Sequence, residues 1–260
     1  MSAHDEVYTI TFGDCAENHV GMQMIGHRSE VGFTIPEMLH MMDLLESEGV
    51  TCQWVDFDPY PHDGEQAAVL IIRQCVDHFT GVHADLVLAE QQNIQYDTKY
   101  WDDRFKAIKN KQARYNVCFG EEGQQMDLDN KKGTIIPYQD VPYLSMIRQK
   151  LPDYLGEKAR DLNGEGNKYY NIAKCGIGYH GDVERKKVVA IRLGATMDLY
   201  YSWFYKHKCY GYDTRIILEH GDMYVMSEKA TGYDWKKSSI PTLRHAAGSK
   251  KYTSLDKYKE

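Results

Sequence analysis

The sequence lacks the long hydrophobic runs of a membrane protein. No stretch of its 260 residues approaches the roughly 18 uninterrupted apolar residues of a spanning helix. The start of the chain also lacks a basic segment followed by an apolar one, so no secretory signal peptide is predicted. We therefore expect a cytoplasmic protein, in the host cytoplasm if its source is a virus, with no membrane partner.

Cysteine pairs are lacking too. The six cysteines are widely scattered, and none forms a CxxC pair. This spacing argues against a disulfide framework and against a zinc knuckle. We expect reduced and mostly buried thiols.

An excess of positive charge is also absent, because the net charge is −7. A protein that coats duplex nucleic acid contacts phosphates through a cationic surface, so this class is disfavoured. A local basic groove stays open as the alternative to an ordinary solvated face. Two clusters are candidates for it: Lys106, Lys109, Lys111 and Arg114, and Lys236, Lys237, Lys250 and Lys251.

The length suits one large domain, or a core domain with a smaller appendage. Residues 1–95 are predicted to form a small α/β unit of unknown role. Tyr8–Phe12 and Thr51–Phe57 are typical of strands, and Thr34 with Glu37 has the spacing of a capping box that begins a helix. We find no catalytic motif in this portion.

Residues 96–260 are predicted to form the core domain, and the fold class is α+β. A polar connector to residue 112, a helix at Pro142–Leu155 and a turn-rich linker at Asn163–Asn167 come first. Many short strands follow, separated by turns, which indicates a sandwich or barrel. The predicted strands are Tyr169–Ala173, Gly178–Asp182, Val188–Leu193, Asp198–Tyr205, Arg215–Leu218, Asp222–Met226 and Pro241–Ala246.

His180 and Asp182 form an HxD motif within one predicted strand. Residues i and i+2 of a strand project from the same face, so an imidazole and a carboxylate point into one site. A second histidine from a distant strand would complete a facial triad and leave metal positions open. The downstream candidates for it are His207, His220 and His245. The HxD motif alone is a weak signal.

The surroundings of this motif resemble a known family. The run His180–Gly194 is similar to the metal-binding strand and the following strand of AlkB-type Fe(II)/2-oxoglutarate-dependent dioxygenases. The resemblance covers roughly residues 113 to 252. Further similar segments occur in the family's order: Ala113–Gly120, Arg215–Met226, Met226–Trp235 and Leu243–Gly248.

The resemblance implies a double-stranded β-helix (jelly-roll) core with flanking helices. It also implies Fe(II), with 2-oxoglutarate and dioxygen as co-substrates, and His180 and Asp182 as iron ligands. Many family members have the second iron histidine close after a Trp, where this chain has Trp235-Lys236-Lys237. We favour His245 as the third ligand.

The cation that holds 2-oxoglutarate has no clear match on a final strand. Arg192 is one candidate, because it shares a strand face with positions that line the family's co-substrate pocket. Lys251 and Arg244 are others, although Arg244 and its neighbour His245 cannot both point inward. Asn171 and Tyr169 match approximately the polar and aromatic residues that contact the co-substrate.

The resemblance also implies a substrate, namely a modified nucleobase in single-stranded or flipped form, or in a nucleotide, that is hydroxylated or oxidatively demethylated. Tyr115, Phe119 and Trp203 are candidates for stacking on the base, and Glu184 for contacting it. One alternative is a protein or small-molecule hydroxylase on the same fold. Others are a non-catalytic jelly-roll binding protein and an interaction protein in which residues 1–95 bind a partner.

Overall fold

The structure is a computed structural model that describes residues 5–57 and 65–258, apart from the side chain of Tyr212. The fold is mixed α+β and rich in antiparallel strands. The strands are β1 Val7–Gly13, β2 Cys15–Glu17, β3 Met24–Gly26, β4 Cys52–Phe57, β5 Ala67–Ile72, β6 Lys99–Asp102, β7 Ala107–Asn110, β8 Tyr115–Gly120, β9 Ile135–Pro137, β10 Asn163–Tyr169, β11 Gly176–His180, β12 Val188–Gly194, β13 Leu199–Tyr205, β14 Lys208–Ile216, β15 Met223–Met226 and β16 Thr242–Gly248. The α-helices are α1 Ile35–Ser47, α2 Cys75–Thr80, α3 Ala84–Gln92, α4 Pro142–Leu155 and α5 Lys250–Thr253, and short 3-10 helices occur at Tyr138–Asp140, Gly156–Ala159, Lys229–Thr231 and Asp256–Tyr258.

An eight-stranded sheet forms the centre of the molecule, in the order β4-β5-β15-β12-β1-β10-β8-β9. Its neighbouring strands are antiparallel except for the pair β8 and β9. The N-terminal strand β1 lies between β12 and β10, so Thr9 is paired with Arg192 on one side and with Asn167 on the other. Strands from both sides of residue 95 therefore share this sheet. That residues 1–95 and 96–260 form two separate folding units stays a prediction.

A four-stranded antiparallel sheet, in the order β11-β16-β13-β14, covers one face of the large sheet. The core between the two sheets includes Val7 from β1, Ala190 from β12 and Tyr201 from β13. Helices α1, α2 and α4 cover the opposite face, where Ile10 and Phe12 are fully buried among their side chains. The alternation of β1 side chains thus joins two cores.

Two predicted helix features are confirmed. Thr34 accepts from the backbone N–H of Glu37, and the Glu37 carboxylate accepts from the Thr34 backbone, so the capping box begins α1. Helix α4 occupies Pro142–Leu155 as predicted. All six cysteines are free thiols, and four of them are buried. Within the described ranges, no helix is long and apolar enough to cross a membrane.

The interpretation of Asn163–Asn167 as a linker is wrong, because these residues form most of β10. Its glycines allow close packing against aromatic rings: a Cβ on Gly164 would lie 2.8 Å from the Phe119 Cβ, and one on Gly166 would lie 2.9 Å from the Tyr96 hydroxyl. The strand predicted at Tyr169–Ala173 is also wrong, since β10 ends at Tyr169. The expected connector to residue 112 contains the β6–β7 hairpin.

Candidate metal centre

The structure brings His180, Asp182 and His245 together. His180 ends β11, His245 lies within the neighbouring strand β16, and the two residues are paired across the ladder. The Nε2 atoms of His180 and His245 lie 3.6 Å and 3.7 Å from Asp182 Oδ1. One ligand atom from each residue lies within 4.8 Å of the others, so the three could hold a metal ion.

Hydrogen bonds orient the ring of His180. Its Nδ1 lies 2.8 Å from the Gly178 carbonyl oxygen and 3.1 Å from that of His245. Both partners are acceptors, so Nδ1 carries the hydrogen and the Nε2 lone pair faces the cluster. This arrangement presents His180 in the tautomer that binds a metal.

Burial keeps the other histidine neutral. Burial lowers the pKa of His245 well below its usual value, and His180 and Arg185 lower it further. Burial raises the pKa of Asp182, while Arg185 and His180 oppose that rise. A bound cation would stabilise the charged form of this partly buried carboxylate.

Thr231 and Gly232, which precede β16, contact the backbone of the turn that contains Gly181 and Asp182. The Asp182 N–H donates to the Thr231 carbonyl oxygen at 2.9 Å. Only glycine fits between His180 and Asp182, because a Cβ on Gly181 would overlap the carbonyl oxygen of Gly232. This close approach places Asp182 beside the two histidines.

The two other downstream histidines lie elsewhere. The His207 Nδ1 is 3.2 Å from a terminal nitrogen of Arg244. His220 accepts from the Gly194 backbone N–H through Nδ1 and lies 3.2 Å from Asp85. His83, Asp85 and His220 also lie close enough to hold an ion. The bond to Gly194 places the hydrogen of neutral His220 on Nε2, which opposes metal binding there.

A cavity of about 910 Å³ lies between the two sheets and contains the cluster of His180, Asp182 and His245 on its wall. Arg192 of β12 also lines it and is only 1% exposed. Its Nη1 donates to the Met197 carbonyl oxygen at 3.0 Å, and its Nε has no partner among the described residues. No described carboxylate forms an ion pair with it, so this buried guanidinium could bind an anion from the cavity.

Two further predicted site residues line the cavity. Tyr169 of β10 is buried beside Arg192, and burial raises the pKa of its phenol. Glu184 lies two residues after Asp182 and accepts from Arg185 at 2.9 Å. Arg185 also pairs with Glu165 and lies 4.0 Å from Asp182. It therefore links three carboxylates of the wall.

Three predicted co-substrate residues do not line the cavity, and their assignment is corrected. Asn171 lies in the turn after β10, where its Oδ1 accepts from the Ala173 N–H. Lys251 is exposed on α5 beside the ring of Tyr252. Arg244 points to the other face of β16 from His245, as strand alternation requires, and its guanidinium lies over the Phe204 ring.

The three predicted stacking residues are also absent from the cavity lining. Tyr115 stacks on Tyr170, with ring centroids 4.5 Å apart. Phe119 is fully buried in the helix-covered core, and Trp203 belongs to the core between the sheets. The aromatic residues that do line the cavity besides Tyr169 are Tyr100, Tyr179, Tyr224 and Trp235, with His19 stacked on Tyr100.

A row of polar residues across the large sheet was missed from the sequence. Arg192, Thr9, Asn167 and Asn116 are register partners on four adjacent strands, and all line the cavity. The available signal was the spacing of Asn163, Glu165 and Asn167, which is the period of one strand face. The intervening glycines concealed it.

No family model matches the chain. The "Uncharacterized protein R156" of Acanthamoeba polyphaga mimivirus is 38% identical to it over 258 residues, which covers 97% of this chain and 99% of R156. The chain belongs to the R156 family. Because the match spans nearly all of both sequences, the family likeness extends well beyond the candidate metal centre.

Proposed function

We propose that the protein is an Fe(II)- and 2-oxoglutarate-dependent dioxygenase. The observation that carries this proposal is the convergence of His180, Asp182 and His245 on one cavity. Two imidazoles and one carboxylate are the facial donor set of many non-haem iron oxygenases, and they leave coordination positions open. The buried His245, whose pKa burial lowers, and the nearby carboxylate of Asp182 fit Fe(II) in this role.

The strand order supports a double-stranded β-helix core. From β10 to β16 the chain passes repeatedly between the large and the small sheet. Strands β15, β12, β1, β10 and β8 contribute one wall of the cavity, and β11, β13 and β16 contribute the other. In this proposal the N-terminal strand β1 belongs to the core, although it is distant in sequence from β10 to β16.

Arg192 is the residue that we propose holds the distal carboxylate of 2-oxoglutarate. A guanidinium can bind a carboxylate through two parallel hydrogen bonds. Tyr224 lies close enough to Arg192 for this cation to influence its phenol, whose pKa burial raises to about 12. The apolar side chains of Val188, Leu199 and Met226 line the cavity and would exclude water from the bound acid.

Bound iron, with 2-oxoglutarate and dioxygen, supplies the oxidation of a substrate C–H bond while 2-oxoglutarate becomes succinate and carbon dioxide. The chain's own residues orient the reactants and keep water out. We extend the proposal to a modified nucleobase as substrate, in single-stranded nucleic acid or a nucleotide. The aromatic surfaces of Tyr100 and Trp235 and the carboxylate of Glu184 in the same cavity support this extension. A cytoplasmic location belongs to the same proposal.

Iron binding tests the proposal directly. Anaerobic calorimetric titration of Fe(II) should show one site in the wild-type protein, and that site should be lost in His180→Ala, Asp182→Ala and His245→Ala. His207→Ala is the matched control, because it removes an imidazole from outside the cavity. Iron-dependent conversion of 2-oxoglutarate to succinate should follow the same pattern. A folded His245→Ala protein with wild-type iron affinity and turnover would contradict the proposal.

A further inference from the structure

A second set of cations lies in the same cavity. Lys111 follows β7 and is 5% exposed, and Arg114 precedes β8 and is half-buried. Both line the cavity that contains the candidate metal centre. Their neighbours in the basic cluster, Lys106 and Lys109, instead form ion pairs with Asp103 and Asp102.

Neutral groups hold these two cations. The Lys111 Nζ donates to the side-chain and backbone oxygens of Asn18, at 2.7 Å and 3.3 Å. The Arg114 Nε donates to Asn167 Oδ1 at 2.6 Å. Among the described residues, no carboxylate forms an ion pair with either cation, and the terminal nitrogens of Arg114 make no hydrogen bond.

A buried cation without a counter-ion is unfavourable. Burial lowers the pKa of Lys111 to about 8, although Asp97 opposes this shift. Glu165 also opposes the shift of the Lys111 pKa and is itself influenced by Arg114, but its direct ion pair is with Arg185. Burial raises the pKa of Glu17 to about 7, so this cavity-lining acid holds a proton in mildly acidic solution.

The backbones of Arg114 and Arg192 lie well apart across the large sheet. Arg192 lies on β12 and Arg114 lies at the start of β8, with β1 and β10 between these strands. Three strand spacings correspond to roughly 14 Å across the sheet. The proposed function assigns 2-oxoglutarate to Arg192, which leaves Lys111 and Arg114 for another anionic group.

We propose that Lys111 and Arg114 form an anion subsite for the substrate, which therefore carries a carboxylate or a phosphate. The guanidinium would bind this group through its terminal nitrogens and the ammonium through its remaining N–H. The inference rests on the proposed function for what happens to the substrate. The anion subsite itself requires neither iron nor 2-oxoglutarate.

Calorimetric titration of the metal-free full-length protein with sodium phosphate and with sodium acetate, at pH 7 and constant ionic strength, tests the subsite. We expect Lys111→Met and Arg114→Gln each to weaken one class of site at least tenfold, whereas Arg192→Met leaves that class intact. Lys208→Met is the matched control, since it removes an exposed lysine outside the cavity. The anion that binds more tightly at this class identifies the substrate group as phosphate or carboxylate.

A pH series gives a readout that a purely structural role would not produce. Affinity for the anion should fall as the pH rises through about 8 in the wild-type protein, because Lys111 then loses its proton. In Lys111→Arg the affinity should persist to higher pH. Arg114→Gln keeps the test valid if Lys111→Met does not fold, because Arg114 is only half-buried.

The failure of this inference and the failure of the proposed function are distinguishable. Anion binding that depends on Lys111 and Arg114, with no iron bound at His180, Asp182 and His245, would support the subsite and refute the dioxygenase. Iron binding with no phosphate or acetate binding, or with equal binding in the wild type, Lys111→Met and Arg114→Gln, would overturn the subsite alone.

Discussion

The two faces of the large sheet differ sharply, and β1 shows the difference within seven residues. On one face, Tyr8, Ile10 and Phe12 are buried in an apolar core closed by helices. On the other face, Thr9 and Thr11 line the cavity. The same strand thus contributes apolar packing on one side and polar groups on the other.

The cavity face retains polar groups that the fold itself does not satisfy. The Thr9 hydroxyl and the Arg192 Nε are buried without a partner among the described residues, and the two residues are register neighbours. Unsatisfied buried polar groups lower stability. We infer that the helix-covered face stabilises the fold, whereas the cavity face is shaped for a ligand.

The largest expected effect is on the helix-covered face. Phe12→Ala should lower the free energy of unfolding by about 3–5 kcal/mol, because it leaves a cavity in a closed apolar core. Thr11→Ala, one residue away on the other face, should change it by less than about 1 kcal/mol. Urea denaturation followed by circular dichroism measures both. Equal losses would remove the distinction between the two faces.

Unlike Phe12, Arg192 should lower the stability of the fold and contribute to ligand binding. Arg192→Met should weaken 2-oxoglutarate binding to the metal-loaded protein by roughly 10- to 100-fold, because a charged hydrogen bond contributes about 1.5–3 kcal/mol. The same change should raise the free energy of unfolding by about 1–2 kcal/mol, since it removes a buried cation that forms no ion pair with any described carboxylate. Calorimetry and urea denaturation measure the two effects.

Arg244→Met is the control for that prediction. Arg244 is also buried, and its Nε has no partner within the described part of the chain, but it lies on the outer face of β16. Its replacement should leave 2-oxoglutarate affinity unchanged. Unchanged affinity in Arg192→Met would show that another group holds the co-substrate carboxylate.

The smallest expected effect is the net change of stability with pH that arises from Glu17 and His19. Both residues line the cavity. Burial raises the pKa of Glu17 to about 7 and lowers that of His19 to about 4. Burial makes the charged form of each group less stable. Ionisation of Glu17 therefore lowers the free energy of unfolding as the pH rises from about 4.5 to 7. His19 instead lowers stability as the pH falls from about 6.5 to 4. The two contributions oppose each other in the wild-type protein.

Single substitutions should separate them. In Glu17→Gln the free energy of unfolding should increase from pH 4 to pH 6.5 more steeply than it does in the wild type. In His19→Gln the free energy of unfolding should decrease from pH 4.5 to pH 7 more steeply than it does in the wild type. Urea denaturation at a series of pH values measures both slopes. Parallel pH profiles for the two variants would show that these groups do not titrate as their burial requires.

Local patterns predicted the elements that depend on neighbours in sequence. Thr34 and Glu37 predicted the start of α1. His180 and Asp182 share a site as expected, but β11 ends at His180, so Asp182 reaches that site from the following turn and not from the same strand. Strand alternation predicted opposite directions for Arg244 and His245, and the structure agrees. That these residues bind iron stays a prediction.

Positions that depend on distant strand pairing were much less predictable. Phe119 seemed suited to stacking, but the pairing of β8 with β10 directs it into the helix-covered core. Asn171 seemed suited to co-substrate binding, but β10 ends two residues earlier, so its side chain caps a turn. A shift of one residue in register exchanges the two faces of a strand, and the sequence does not state the register.

The sequence by itself determined the capping box of α1, the free thiols, and the imidazole and carboxylate of the HxD motif, because each depends on residue chemistry or on short spacing. Only the tertiary structure decided that β1 lies between β12 and β10, which aligns Thr9 with Arg192 and Asn167 across the cavity. The physical reason is that strand neighbours are chosen by burial over the whole chain. Residues far apart in sequence therefore form one polar row that no local pattern specifies.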